Sequence, residues 1–129
     1  MTSPGLAGRS ILIVEDEALI AYDLASAFEN EGAVVTTTTT LRQALILAKL
    51  DGLSAVVVDH VLGDGDTQEL CTYLRDHGVP YVLYSGFGRD EVRHAEDIYV
   101  AKPTPVAVVV ALIKKLLETG TTRGTDPLR

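Results

Sequence analysis

Cysteine, basic charge and long apolar runs are all scarce in this 129-residue chain, and each shortage removes a class of protein. The single cysteine, Cys71, cannot close a disulfide within the chain, so a reducing compartment such as the cytosol is expected. Eleven lysines and arginines stand against eighteen acids, a formal charge of −7, and the basic residues are scattered. A nucleic-acid backbone demands a concentrated basic surface, so no direct nucleic-acid binding is expected. The longest apolar run, Val106 to Ile113, falls far short of the roughly 20 residues that cross a bilayer. The start, "MTSPGLAGRS", has no charged residue leading into a long apolar stretch, so it does not read as a secretory signal. A soluble, cytoplasmic protein with no membrane partner is expected.

What is present is a hydrophobic content of 47%, enough for one core in a chain too short for two ordinary domains. The domain is expected over residues 9–118, with 1–8 and the Gly-, Thr- and Pro-containing 119–129 as flexible ends. Five β-rich runs stand out: Ser10 to Val14, Ala33 to Thr37, Ala55 to Asp59, Tyr81 to Ser85 and Ile98 to Ala101. Several are apolar without alternation, as strands buried on both faces of a parallel sheet read. Between them, Ile20, Leu24, Ala27 and Phe28 recur at helical spacing with Gly32 as the stop, and Leu41 to Leu50 predicts a second helix closed near Gly52. The run Thr36 to Thr40 suits a strand that leads into a cap, Thr40 with Gln43. A third helix is expected from about Thr67 to His77, with Asp66 as its N-cap, Glu69 three residues on and Gly78 as the stop. The last spans Pro105 to Glu118. Alternation of this kind predicts an α/β fold: a doubly wound parallel sheet of five strands with helices on both faces.

In such sheets ligands sit at the carboxyl ends of the strands, near the switch in strand order. The first strand ends at Glu15 and Asp16, the third at Asp59, the fourth at Ser85 and the fifth at Lys102 followed by Pro103. Acids at a helix start can serve the helix dipole alone, which suffices for Glu17, but that role does not extend to Asp59, Ser85 or Lys102. Three carboxylates held together repel, so the cluster calls for a cation, and Mg²⁺, a hard ion that takes oxygen ligands, is the natural one. Lys102 adds a mobile charge and Ser85 a donor, both suited to phosphoryl oxygens. Asp59 is then placed to act as a nucleophile and form an aspartyl phosphate.

The segments "ILIVEDE", "VVVDHVL", "LYSG" and "IYVAKP", in this order and on this topology, resemble the response-regulator receiver domain of two-component signalling, of the chemotaxis-regulator type, over about residues 9–118. The resemblance implies the flavodoxin-like strand order 2-1-3-4-5. It implies Asp59 as the phosphoacceptor from a histidine kinase or histidine phosphotransfer protein, with Mg²⁺ held by Glu15, Asp16, Asp59 and the backbone carbonyl of Val61. Lys102 would pair with the phosphate, its bond to Pro103 would be cis, and Ser85 would move toward the phosphate while Tyr99 changes its burial in step. Such a protein is no conventional enzyme and at most catalyses its own phosphorylation and dephosphorylation. Residues 119–129 are too short for an output domain, so the expected output is a protein target, in a stand-alone, single-domain receiver.

Several features depart from that pattern. Gly63 stands in "HVLGDGD" where many relatives carry a proline. "GFGRDEVRHAEDI", between Ser85 and Tyr99, is short for a full helix and two loops, so the fourth helix is expected to be shortened, displaced or disordered. The last helix is apolar over most of its circumference, with Val108, Leu112 and Leu116 beyond the stripe of Val106, Val109, Val110, Ile113 and Leu117, which suggests a homodimer through this region. His60, on the opposite side of its strand from Asp59, reads as a packed or solvated imidazole, and "GDGDT" as a loop and cap. Two other functions compete: a phosphate-independent interaction module on the same fold, and a phosphoester hydrolase, for which the chain has no room for a substrate-covering cap.

Overall fold

The computed structural model describes residues 5–50, 52–59, 61–62, 65–85 and 98–118, and the side chains of Val61, Asp66 and Ser85 lie outside that description. The elements in chain order are β1 (Ser10–Val14), α1 (Ala18–Asn30), β2 (Val34–Thr38), α2 (Leu41–Ala48), β3 (Ala55–Val58), β4 (Val61–Leu62), β5 (Gly65–Asp66), α3 (Gln68–Asp76), β6 (Tyr81–Ser85), β7 (Ile98–Ala101) and α4 (Val106–Glu118). Five strands form one parallel sheet in the order β2-β1-β3-β6-β7, which is 2-1-3-4-5 when only its members are numbered. The expected fold is thus the observed one. The segment in which a shortened or disordered fourth helix is expected, 86–97, lies outside the described residues, as does His60.

The apolar runs form central strands because both of their faces are covered. Ile11 and Ile13 of β1, Val57 of β3 and Val82 of β6 pack with Leu24 and Phe28 of α1 and Val109 and Ile113 of α4. Leu12 and Val14, Val56 and Val58, and Leu83 point the other way, against Ala44 of α2 and Leu70, Cys71 and Leu74 of α3. The alternation has period two, as the pleat requires. Thr40 caps α2 as expected, accepting from the Gln43 N–H at 3.1 Å. Gly32, Gly52 and Gly78, which close the first three helices, all have positive φ.

Several expectations need correction. Asp66 is not the cap of α3: with Gly65 at φ +138°, it pairs with Val61 in the short antiparallel β4–β5 ribbon, and Thr67 takes the N-cap position. Glu17 is not in the first turn of α1 but is its N-cap residue. Of the surplus apolar residues of α4, Leu112 and Leu116 pack against the core, whereas Val108 is exposed.

Residues 5–8 are not a flexible end either. Leu6 is fully buried in the α1/α4 core, and its N–H donates to the Glu31 carbonyl at 2.8 Å. Gly5 lies so close to Lys114 that an added Cβ would stand 2.7 Å from its Cε, while Lys114 Nζ binds Glu31 Oε1 at 3.1 Å. Leu6 thereby closes the end of the core that α1 and α4 leave open. Leu6→Ala should lower the unfolding free energy by about 2–4 kcal/mol, read by urea titration, since a fully buried leucine is lost and a cavity remains.

Candidate functional site

The site lies at the carboxyl edge of the sheet, beside the switch in strand order between β1 and β3. The ladder continues one residue past each strand: the Glu15 N–H donates to the Thr38 carbonyl at 3.0 Å, and the Asp59 N–H to the Val14 carbonyl at 2.9 Å. Both backbones are therefore pinned by neighbouring strands, and Val14 and Val58, their predecessors, are register partners. Glu15, Asp59 and Lys102 share the strand parity of Ile13, Val57 and Val100, so all three continue the face that α1 and α4 cover.

Three of the residues named from the strand ends meet directly. Lys102 Nζ lies 2.8 Å from Glu15 Oε1 and 3.4 Å from Asp59 Oδ2. Glu15 is 2% exposed and Asp59 7%. Asp16 is exposed, yet it completes a carboxylate cluster with them in which one oxygen from each residue lies within 4.8 Å of the others. Three carboxylates against one ammonium leave a formal charge of −2 in a largely buried space, and hard oxygen donors at this spacing fit a divalent cation. The other Glu15 oxygen, Oε2, accepts from the Glu17 N–H at 3.0 Å, which gives the third acid of the opening triplet a backbone function.

The remaining expected residues are less directly joined. Val61 opens β4 two residues beyond Asp59. Ser85 ends β6 opposite Ala101, the residue before Lys102. The Lys102–Pro103 peptide is cis. Tyr99 is half-buried against the α2/α3 core, on the other face of β7 from Val100.

Two supports escaped sequence reasoning. Thr67, almost completely buried, donates its hydroxyl to the Asp59 carbonyl at 2.9 Å, so the residue that opens α3 holds the backbone of Asp59. Its signal was hidden because the sequence places Thr67 as the first residue of the helix, with Asp66 as the cap. Tyr84 lies beneath the lysine, with Lys102 Nζ 5.5 Å from its ring centroid, and its hydroxyl donates to the Thr104 carbonyl at 2.6 Å. The Thr104 hydroxyl in turn bonds the Ala101 carbonyl. The turn that carries Lys102 is thus tied down on both sides.

Burial dominates the electrostatics of the acids. It pushes the Asp59 carboxyl above the ordinary aspartate range against the pull of Lys102, and it raises Glu15 likewise against the hydrogen bonds from Lys102 and Glu17. For Lys102 burial works against the charge, but the hydrogen bond to Glu15 and the field of both carboxylates outweigh it and hold the ammonium above its usual range. A carboxyl raised in the folded state binds its proton more tightly there than in the unfolded chain. The associated stability is full below the unfolded value of about 4 and is lost as pH rises through the folded one. In metal-free buffer at neutral pH, Asp59→Asn should therefore melt a few degrees above the wild type, with the gap closing as pH falls. Absence of that gain would mean that Lys102 already compensates the buried charge. Thr67→Val should leave the Asp59 carbonyl unsatisfied and cost about 1–3 kcal/mol by denaturant titration, while Thr67→Ser retains most of the stability.

Comparison with known proteins bears on the fold and the family. The sequence profile described as the response regulator receiver domain matches residues 11–114. The KDP operon transcriptional regulatory protein KdpE of Escherichia coli (strain K12) is 30% identical over 126 residues, which is 92% of this chain and 56% of KdpE, so the chain spans about half the length of that relative. Among solved structures, a response regulator receiver protein from Sinorhizobium medicae WSM419 superposes with a TM-score of 0.79 at 24% identity, covering 88% of this chain and 98% of that one. The receiver domain of the Francisella response regulator 1452 gives 0.77 at 20% identity, covering 88% and 99%. At those identities the two structures speak for the shared fold, and the sequence match speaks for the family: the chain belongs to the response regulator receiver domains of two-component signalling.

Proposed function

We propose that this receiver takes a phosphoryl group on Asp59 from a histidine kinase or a histidine phosphotransfer protein in the cytoplasm, and that the modification switches its binding to a protein target. The observation that carries the reading is the meeting of a buried Asp59 with Lys102 at 3.4 Å and with the Glu15 and Asp16 carboxylates within 4.8 Å. Glu15, Asp16 and Asp59 are the side chains that would hold Mg²⁺, and we assign the backbone carbonyl of Val61, two residues beyond Asp59, to the same shell. When bound, the ion neutralises charge on the phosphoryl oxygens and on the carboxylates around them.

Asp59 supplies the electron pair: one of its oxygens forms a bond to phosphorus as the bond from phosphorus to the donor's imidazole nitrogen breaks, and that nitrogen keeps the electrons. Lys102, held by Glu15, is within reach of Asp59 and can follow the charge from carboxylate to phosphoryl oxygen with little movement. Thr67 keeps the Asp59 backbone still during the transfer. Ser85, at the end of β6, and Tyr99, on β7, are the residues we assign to reading the new charge, the first by a hydrogen bond and the second by a change in burial. The cluster's uncompensated charge weighs against a phosphate-independent module. For a homodimer through α4, Val108 is the one large apolar side chain of that helix that stands exposed, since Leu112 and Leu116 pack inward.

Incubation with Mg²⁺ and a small acyl phosphate should add one phosphoryl group by intact mass. Asp59→Asn should abolish the gain, and chelation of the metal should reduce it at least tenfold on the scale expected for a lost catalytic charge. A folded wild type that gains no mass and binds no Mg²⁺ would instead favour the phosphate-independent module.

A further inference from the structure

The β2 edge of the sheet lacks two usual protections against strand pairing, charge and proline. Ala33 to Leu41 contains no charged residue in a chain of net charge −7, and no proline interrupts it. The pairing to β1 sets which backbone groups face outward: the Val34 N–H donates to the Arg9 carbonyl and the Thr38 carbonyl accepts from Glu15, so residues 34, 36 and 38 bond inward. By alternation the N–H and C=O groups of Val35 and Thr37 point away from the sheet, and among the described residues they have no partner. The face beside this edge is apolar. Val34, Ile46 and Leu50 are 65%, 57% and 61% exposed, half of the large hydrophobic residues that stand so open among the described ones. Thr36 and Leu50 share a small cavity of about 120 Å³ with Leu12, Leu47 and Leu53, which puts Val34, of the same strand parity as Thr36, on that side too.

We propose that β2 pairs antiparallel with β2 of a second copy of this chain, joining two sheets through a two-fold axis at Thr36. The occupant follows from self-complementarity. An antiparallel partner must offer outward groups at two-residue spacing, and β2 reversed about Thr36 sets Val35 against Thr37 and Thr37 against Val35, four main-chain hydrogen bonds in all. Thr36 then faces its own copy, a favourable cross-strand pair, and Val34 faces Thr38. The absence of charge matters most here: any ionised residue on the axis would meet its like, and this strip of a strongly acidic chain has none. A two-fold axis normal to the sheet brings both α2 helices to the same face, where Ile46 and Leu50 of each copy cover the other's cavity. The acid cluster at the carboxyl edge stays open.

Light scattering of the full chain across a concentration series, with amide hydrogen exchange above and below the midpoint, tests the dimer without any added ligand. A mass that doubles reversibly, rises with salt as the net-charge repulsion is screened, and slows exchange at the Val35 and Thr37 amides is the expected result. Thr36→Lys, which places two ammonium groups on the axis, and Leu50→Glu should each abolish the dimer with unchanged circular dichroism and phosphorylation. A monomer at every concentration would overturn the proposal and leave the edge for a strand of another protein. A dimer whose Val35 and Thr37 amides exchange as fast as in the monomer would overturn it as well, whatever the variants do.

Discussion

One ammonium group shared between two buried carboxylates is the interaction on which the rest of this structure turns. Glu15 and Asp59 would repel each other across the β1–β3 boundary, and burial has already made their charges costly. Lys102 offsets part of that cost with contacts of 2.8 and 3.4 Å, but one positive charge cannot balance the two buried acids and Asp16 beside them. The negative charge left over is what makes this cluster of hard oxygen donors fit a divalent cation.

Such an arrangement needs a rigid frame, because a shift of an ångström would separate the charges or let water between them. The parallel ladder supplies it by running one residue beyond β1 and β3, so the acids are held by backbone hydrogen bonds as well as by their partners. Thr67 adds a hold on the Asp59 carbonyl from the start of α3. Lys102 arrives from the edge strand β7, two positions away from β3, and its long side chain passes Tyr84 of β6 on the way. The same sheet has an opposite edge, β2, with uncharged side chains and outward main-chain groups.

The strand and helix pattern was open to reading because its causes are local. Unalternated apolar runs, glycines at helix ends and the Thr40 cap each act within a few residues, and β1, β6 and β7 lie where those signals put them. A boundary slipped by one residue where a helix-end bond intervened: Ala33 donates to the Phe28 carbonyl at the end of α1, and β2 begins at Val34. Asp66 was misread because the β4–β5 ribbon depends on a Gly65 conformation that composition does not announce. Leu6 was misread because a short apolar residue among glycines looks unstructured until α1 and α4 present the space it fills.

The chain's order of residues was enough to mark Glu15, Asp16, Asp59 and Lys102 as candidates, since each follows directly on a run of strand-forming side chains. It could not tell which oxygen Lys102 holds, that Glu15 also accepts from the Glu17 backbone, or that Thr67 and Tyr84 brace the site. Those facts depend on contacts between residues up to 87 positions apart, which exist only after the sheet has set its register. Periodicity and turn chemistry are properties of neighbours in the chain, whereas hydrogen-bond partners and buried charge are properties of neighbours in space.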